Sequence, residues 1–267
     1  MQLKFFFTFF IILILEFSTL NGQILIIDRE VLMDTTKKTI KGSFLTSFNS
    51  DKLKGNLIDI SNRTEIDKYL KNNYVLISQF VNDLTILKKQ ILQNEGHFQF
   101  RLRDNDKRKY SIESYIQHQW NSTLGMEYRN VIGSNLRIMV FDSENNDLYF
   151  GLGLFHESEK WNFSAVENNL KIIQSQPIKR DLYRLNNYLK YAYRLNDYID
   201  FTFLTYIQLP VNQSYYNIRW FLESNANFQI NKKINFVIHW DHTLDNYRVV
   251  PISNFYYSLN FGIQLNF

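Results

Sequence analysis

Apolar and polar residues take turns along most of this chain, and no other feature restricts its fold as much. In NFYYSLNFGIQLNF, residues 254–267, one list reads Phe255, Tyr257, Leu259, Phe261, Ile263, Leu265 and Phe267. The other reads Asn254, Ser258, Asn260, Gly262, Gln264 and Asn266, broken only by Tyr256. Successive side chains of a strand point to opposite faces, so this segment is a strand with one apolar and one polar face. On a helix the same residues would circle the axis instead of lining one side.

The pattern returns along the chain. Leu148, Phe150, Leu152 and Leu154 oppose Tyr149, Gly151, Gly153, Phe155 and Glu157. Leu185, Leu189, Tyr191, Tyr193 and Leu195 oppose Arg184, Asn186, Tyr188, Lys190 and Arg194. Trp220, Leu222, Ala226 and Phe228 oppose Arg219, Glu223, Asn225 and Asn227. About twelve strands follow, at 37–49, 52–65, 69–81, 95–104, 108–120, 124–141, 147–160, 182–195, 197–209, 215–230, 232–245 and 254–267. Only 166–173 looks locally helical.

Strands of about 12–14 residues exceed the soluble norm of about 5–6 and match a tilted membrane crossing. Charges in mid-strand opposite bulky aromatics fit a polar lumen surrounded by lipid. The 23 Phe and 17 Tyr coexist with a mean hydropathy of −0.30, the balance two-faced strands require. Connections also alternate in length. DNDKR, DSENND, LND and NKK are short, whereas VNDLTILKKQILQN, the segment 162–179 and DNYRVVPISN read as long. That is the asymmetry of an outer-membrane barrel, with short turns on the periplasmic side. The expected fold is therefore an antiparallel transmembrane β-barrel of about twelve strands. A soluble lipocalin-like binding barrel in the periplasm is the alternative, since such barrels alternate too.

The first residues, MQLKFFFTFFIILILEFSTLNGQ, place Lys4 before an apolar run from Phe5 to Leu15. A run of about 7–15 apolar residues behind a positive charge reads as a secretory signal peptide, and is too short for a spanning helix of about 18 or more. The expected organisation is a signal peptide over 1–22 and one barrel over 23–267, exported to the outer membrane of a Gram-negative bacterium. The strand 254–267, with Tyr257, Leu265 and Phe267 on its apolar face, is similar to the carboxy-terminal assembly signal of such proteins. Its expected partners are outer-membrane lipid and the barrel-assembly machinery, whose edge strand can template an incoming strand. Without Cys there is no thiolate site or disulfide framework, and the +4 charge is scattered, so no nucleic-acid surface is expected.

Three stretches, GSFLTSFNSDKLKGNLIDISN, GHFQFRLR at 96–103 and LYFGLGLFHESEKW at 148–161, resemble the YdiY-like, salt-induced outer-membrane proteins of Bacteroidota. The positions that carry the likeness are His97, Phe98, Phe100 and Arg101, then Gly151, Gly153, Glu157, Glu159 and Trp161. His156 departs from the family, where an aromatic is more usual. The resemblance implies a roughly twelve-stranded outer-membrane barrel and no established reaction or ligand.

Inward charges are the main candidate site. Glu113, Glu127, Glu157 and Glu223 can pair with Arg101, Arg103, Arg129, Arg184, Lys190, Arg194 and Arg219. Complete pairing plugs a small barrel; excess cation makes an anion-preferring pore. Side chains nearly fill a barrel of this size, so a plugged lumen is expected ahead of an open one. A structural or narrow-permeability, porin-like role follows. The competing enzyme reading is phospholipase-like, with Ser158 as nucleophile, His156 as base and Asn162 holding the imidazole. The charged SEKWN that follows His156–Glu157 offers no oxyanion loop, so no reaction is expected. His239 and His242 fall on opposite faces of one strand and cannot share a metal. No cofactor and no metal are expected.

Overall fold

A computed structural model describes residues 40–51, 57–104, 109–166, 176–211 and 217–266. The proposed signal peptide, Phe267 and residues 167–173 of the helical reading lie outside the described residues. The strands are β1 Ile40–Asp51, β2 Leu57–Tyr69, β3 Tyr74–Leu87, β4 Gln90–Asp104, β5 Tyr110–Asn121 and β6 Met126–Asp142. They continue as β7 Asn146–Trp161, β8 Ile178–Asn196, β9 Ile199–Pro210, β10 Arg219–Asn231, β11 Ile234–Asp245 and β12 Phe255–Asn266. Each pairs antiparallel with its sequence neighbours, and β1 pairs with β12, so the sheet closes into a twelve-stranded barrel. The closed, antiparallel barrel of twelve strands read from the alternation is the architecture observed.

The faces are reversed relative to a soluble barrel. Arg101, Glu113, Arg129, Glu157, Arg184 and Gln208 point inward and are almost completely buried. Phe98, Phe100, Ile132, Leu152, Leu154 and Phe261 point outward and are exposed. Where the outer face carries polar groups, they bond across strands. Thr46 Oγ1 donates to Asn62 Oδ1 at 3.0 Å, Ser114 and Ser134 share a 2.8 Å hydroxyl pair, and Trp220 Nε1 donates to Thr205 Oγ1 at 2.8 Å. Such pairing is what an apolar surrounding demands of any polar group placed in it.

Two expectations need correction. β2 and β3 lie about five residues later than expected, because Leu57, Ile58 and Ile60 do not alternate cleanly. The stretch 82–94, read as a long connection, is strand: β3 runs to Leu87 and β4 starts at Gln90. Only Lys88 and Lys89 join them, at φ 49° and 70°. Two positive φ values in a two-residue loop match the twist of the flanking strands. The signal was missed because the pair is Lys-Lys rather than Asn-Gly. The other connections at that end of the barrel are longer; we call it the long-loop end and the opposite one the short-turn end.

Candidate functional site

The densest polar assembly lies inside the barrel near its long-loop end. Alternation along β7 sends Glu157, Glu159 and Trp161 inward together. The ladders place Arg129 of β6 and Arg180 of β8 directly opposite Glu159. Arg219 of β10 reaches over from across the lumen. Glu157 accepts from Arg129 Nε at 2.9 Å, from Arg219 Nη1 at 2.9 Å and from Arg184 Nε. Glu159 meets Arg180 Nη2 at 3.0 Å and Arg219 Nη2 at 3.2 Å, and accepts Trp161 Nε1 at 2.6 Å. Arg219 Nε also donates to Asp245 Oδ2 at 2.9 Å. Ionised partners make these bonds roughly twice as strong as neutral ones, and their mutual pairing offsets the cost of burial.

A lid of apolar side chains sits over this network. Leu124, Met126, Trp161, Val250 and Tyr256 pack together, with Phe163, Val166, Val249 and Ile252 against them. Val250 belongs to the β11–β12 connection, residues 246–254, which thereby folds into the mouth. Arg180 Nη1 ties it down by donating to the Tyr247 carbonyl at 2.7 Å, and the Arg248 guanidinium lies 4.4 Å over the Tyr256 ring. Burial pulls the Arg248 guanidinium below its ordinary pKa, with the Asp245 carboxylate pulling the other way. Gly125, at φ 76°, supplies the left-handed turn that brings Leu124 and Met126 under the lid.

The middle of the lumen is an apolar layer of Tyr115, Val131, Phe155, Tyr188, Leu204, Tyr206 and Phe221. Tyr188 can lie across the lumen wall only because residue 151 is glycine; a Cβ there would meet its ring at 1.8 Å. Toward the short-turn end, Arg101 Nη1 stands 3.7 Å from Glu113 Oε2 and Asn135 donates to Glu113 at 2.8 Å. The Arg137 guanidinium covers the Tyr149 ring at 3.6 Å.

The β1–β4 side of the lumen differs. His97 and Gln79 share a 3.1 Å bond, and His239 Nδ1 lies 2.6 Å from Asn225 Oδ1. Arg63 sits 3.9 Å from Glu223. Above them is a cavity of about 470 Å³ lined by Asp59, Arg63, Asp83, Glu95, His239 and Asp241, among others.

Arg101, Arg103, Arg129, Arg184, Lys190, Arg219, Glu113, Glu157 and Glu223 are all buried on the inner side. Arg194 is half-buried, opposite Asp200 in the β8–β9 ladder. Glu127 is a correction. A bulge between Met126 and Tyr128 breaks the alternation, and Glu127 sits exposed at the rim, 2.5 Å from Lys160 Nζ. Glu159, Asp245, Arg180 and Arg248 were not among the expected lumen charges. Glu159 carried a signal, since it shares the parity of Glu157 along β7; Asp245 and Arg180 lie at strand ends and Arg248 in a loop, where alternation says little.

His156 and Ser158 share the outer face, where His156 packs on Tyr183 with centroids 4.9 Å apart. Asn162 is engaged elsewhere: its Oδ1 accepts from Ser164 and its amide donates to Glu127. No hydrogen bond among the described residues joins these three side chains. His239 faces inward, while His242 packs with Trp220, Trp240 and Phe255. Among the described residues no three His, Asp or Glu converge as a metal site. Tyr257 and Leu265 lie on the outer face of β12, Tyr257 opposite His242.

No protein-family model matches the chain, and no curated protein matches its sequence. Among solved structures, the NanC porin is similar at TM-score 0.46 and 9% identity, over 85% of this chain and 97% of that one. The translocator domain of the autotransporter NalP from Neisseria meningitidis gives 0.43 and 10%, over 87% and 88%. The Pseudomonas putida toluene transporter TodX gives 0.40 and 6%, over 84% and 78%. These are likenesses of barrel outline only.

Proposed function

We propose that this protein is an outer-membrane β-barrel with a structural or narrow-permeability role, closed to bulk diffusion on its β6–β11 side. The bilayer reading is supported by the chain's reversed faces. The sheet closes on itself and pairs its strands on both sides except along part of the β1–β12 joint, close to the condition for crossing hydrocarbon, and its outer face exposes large apolar side chains. Water would have to meet those rings if the barrel were soluble, and patches of such size invite association. The reading includes export, assembly by the barrel-insertion machinery and contact with outer-membrane lipid. It assigns no reaction.

One observation carries the closed-lumen reading. Glu157, buried to the last atom, holds Arg129, Arg184 and Arg219 from three strands around the lumen, with the Val250 loop packed above. A solute crossing there would have to break several charge-assisted bonds at once. The test is native protein from separated membranes run cold and boiled in SDS, then reconstituted in a planar bilayer. A heat-dependent mobility shift in the outer-membrane fraction is expected, with conductance far below that of a water-filled porin. Recovery as a soluble periplasmic species would overturn the membrane reading. A large, steady conductance would overturn closure alone.

A further inference from the structure

The joint that closes the barrel is also its weakest. Among the described residues β1 and β12 share four register pairs, from Ser43↔Asn266 to Thr46↔Ile263. The shortest of the other ladders, β4–β5, has nine. Beyond Thr46, toward the long-loop end, Ser47–Asp51 pair with β2 alone, and Phe255–Gly262 pair with β11 alone. Two strand edges thus face each other without a ladder over half the height of the wall. Hydrocarbon offers an unpaired backbone group no partner, so a membrane barrel carrying such edges needs polar matter at hand to meet them.

Behind these edges lies the 470 Å³ cavity. Leu45 and Ser47 of β1 line it from one lip, and Ser258 and Leu259 of β12 from the other. Its inner wall carries the carboxylates of Asp59, Asp83, Glu95 and Asp241 against one guanidinium, that of Arg63, and the imidazole of His239. Asp241 contacts His239 at 3.2 Å and accepts from Ser258 at 2.6 Å, and Glu95 accepts from Gln93 at 2.5 Å. Asp59 has no ion-pair or hydrogen-bond partner among the described residues. Carboxyl groups thus outnumber cations in the chamber, in contrast to the arginine-rich network on the opposite wall, and each lip carries one leucine, Leu45 or Leu259, beside a serine.

We infer that the β1–β12 seam is a side entrance from the bilayer, and that the chamber takes a cationic amphiphile. The ammonium or guanidinium head sits among Asp59, Asp83 and Asp241, and the alkyl tail lies between the lips at Leu45 and Leu259. A carboxylate wall favours a cation and rejects an anionic head by the same Coulomb energy. This inference rests on the membrane-barrel reading, because a tail needs a bilayer to arrive from.

The test uses full-length protein in phosphatidylcholine vesicles, its folding confirmed by cold-SDS mobility, with radiolabelled dodecyltrimethylammonium as the probe. Saturable binding at one site per barrel is expected, at least tenfold tighter than tetramethylammonium or dodecyl sulfate. Asp59→Asn, alone and with Asp83→Asn, weakens it tenfold or more; the single variant keeps the result readable should the double one not fold. The chain has no cysteine, so Phe48→Cys with Phe261→Cys makes a unique pair across the seam. Both side chains are exposed outside the chamber, and they would face each other if the register ran on. Joining them by oxidation or a short bis-maleimide slows probe uptake at least tenfold, and cutting the oxidised link with dithiothreitol restores it. Equal binding of tetramethylammonium, unchanged binding to the Asp59 variant, or undiminished uptake by the linked barrel would each overturn the inference. A chain that never inserts into vesicles fails earlier, on the membrane reading itself.

Discussion

Two ion pairs of the same chemistry differ sharply in consequence here because of where they sit. Lys160–Glu127 lies at the rim with both side chains 30% exposed, whereas Glu157 is fully buried among three guanidiniums. Exposed pairs contribute about 0–1 kcal/mol, since water competes for both charges. Removing one partner of a buried pair costs about 3–5 kcal/mol, because the remaining charge stays in low dielectric uncompensated. Glu157→Gln should therefore lower the urea midpoint of the barrel in vesicles by an amount equivalent to about 3–5 kcal/mol. Lys160→Ala should change it by less than about 1 kcal/mol. Equal effects of the two would refute the network as a structural element. Which residues point inward was legible for Arg129, Glu157 and Arg184, because alternation runs unbroken through the middle of β6 and past both residues of β7 and β8. Glu127 misled because a single bulge reverses the face of everything beyond it, and nothing in MEYRN marks the bulge.

At the scale of elements, the β3–β4 hairpin is the feature least suited to its own sequence. Lys88 and Lys89 hold positive φ values that β-carbon sterics disfavour, whereas Asn-Gly adopts them at little cost. Replacing the pair by Asn-Gly should stabilise the barrel by roughly 0.5–1 kcal/mol, read as a higher urea midpoint with unchanged cold-SDS mobility. A loss of stability would mean the two lysines make contributions beyond the turn. The strands themselves were largely legible. β5, β6, β7, β9, β11 and β12 begin and end within about two residues of the expected spans, because a two-residue period over a dozen positions leaves no other geometry open. β2 and β3 were shifted because their inner faces mix Arg63, Glu65 and Gln79 with Val75, Ile77 and Val81, which blurs the contrast between faces.

For the whole molecule, closure against solutes depends on elements far apart in sequence. Val250, in a connection between the last two strands, is 1% exposed because Leu124, Met126 and Trp161 from β5 to β7 meet it. Val250→Asp places a charge in that apolar lid, which disfavours the seated loop by desolvation. The expected result is a flickering conductance in planar bilayers where the parent barrel is quiet, with cold-SDS mobility unchanged. A variant as quiet as the parent would show that the network beneath closes the lumen without the lid.

By itself the sequence determined most of the strands, their two faces and so a barrel with charged groups inside and a largely apolar outer face, since these follow from a local period of two. It also marked most of the lumen charges, because facing follows from counting residues along a strand. Only the tertiary structure decided which acid holds which arginine, for Arg219 reaches Glu157 across 62 positions of chain. It also decided that the 246–254 loop folds inward, and that the β1–β12 ladder stops after four pairs. Those outcomes depend on how far the closing sheet shears and what space remains when it closes, and no single strand carries that information.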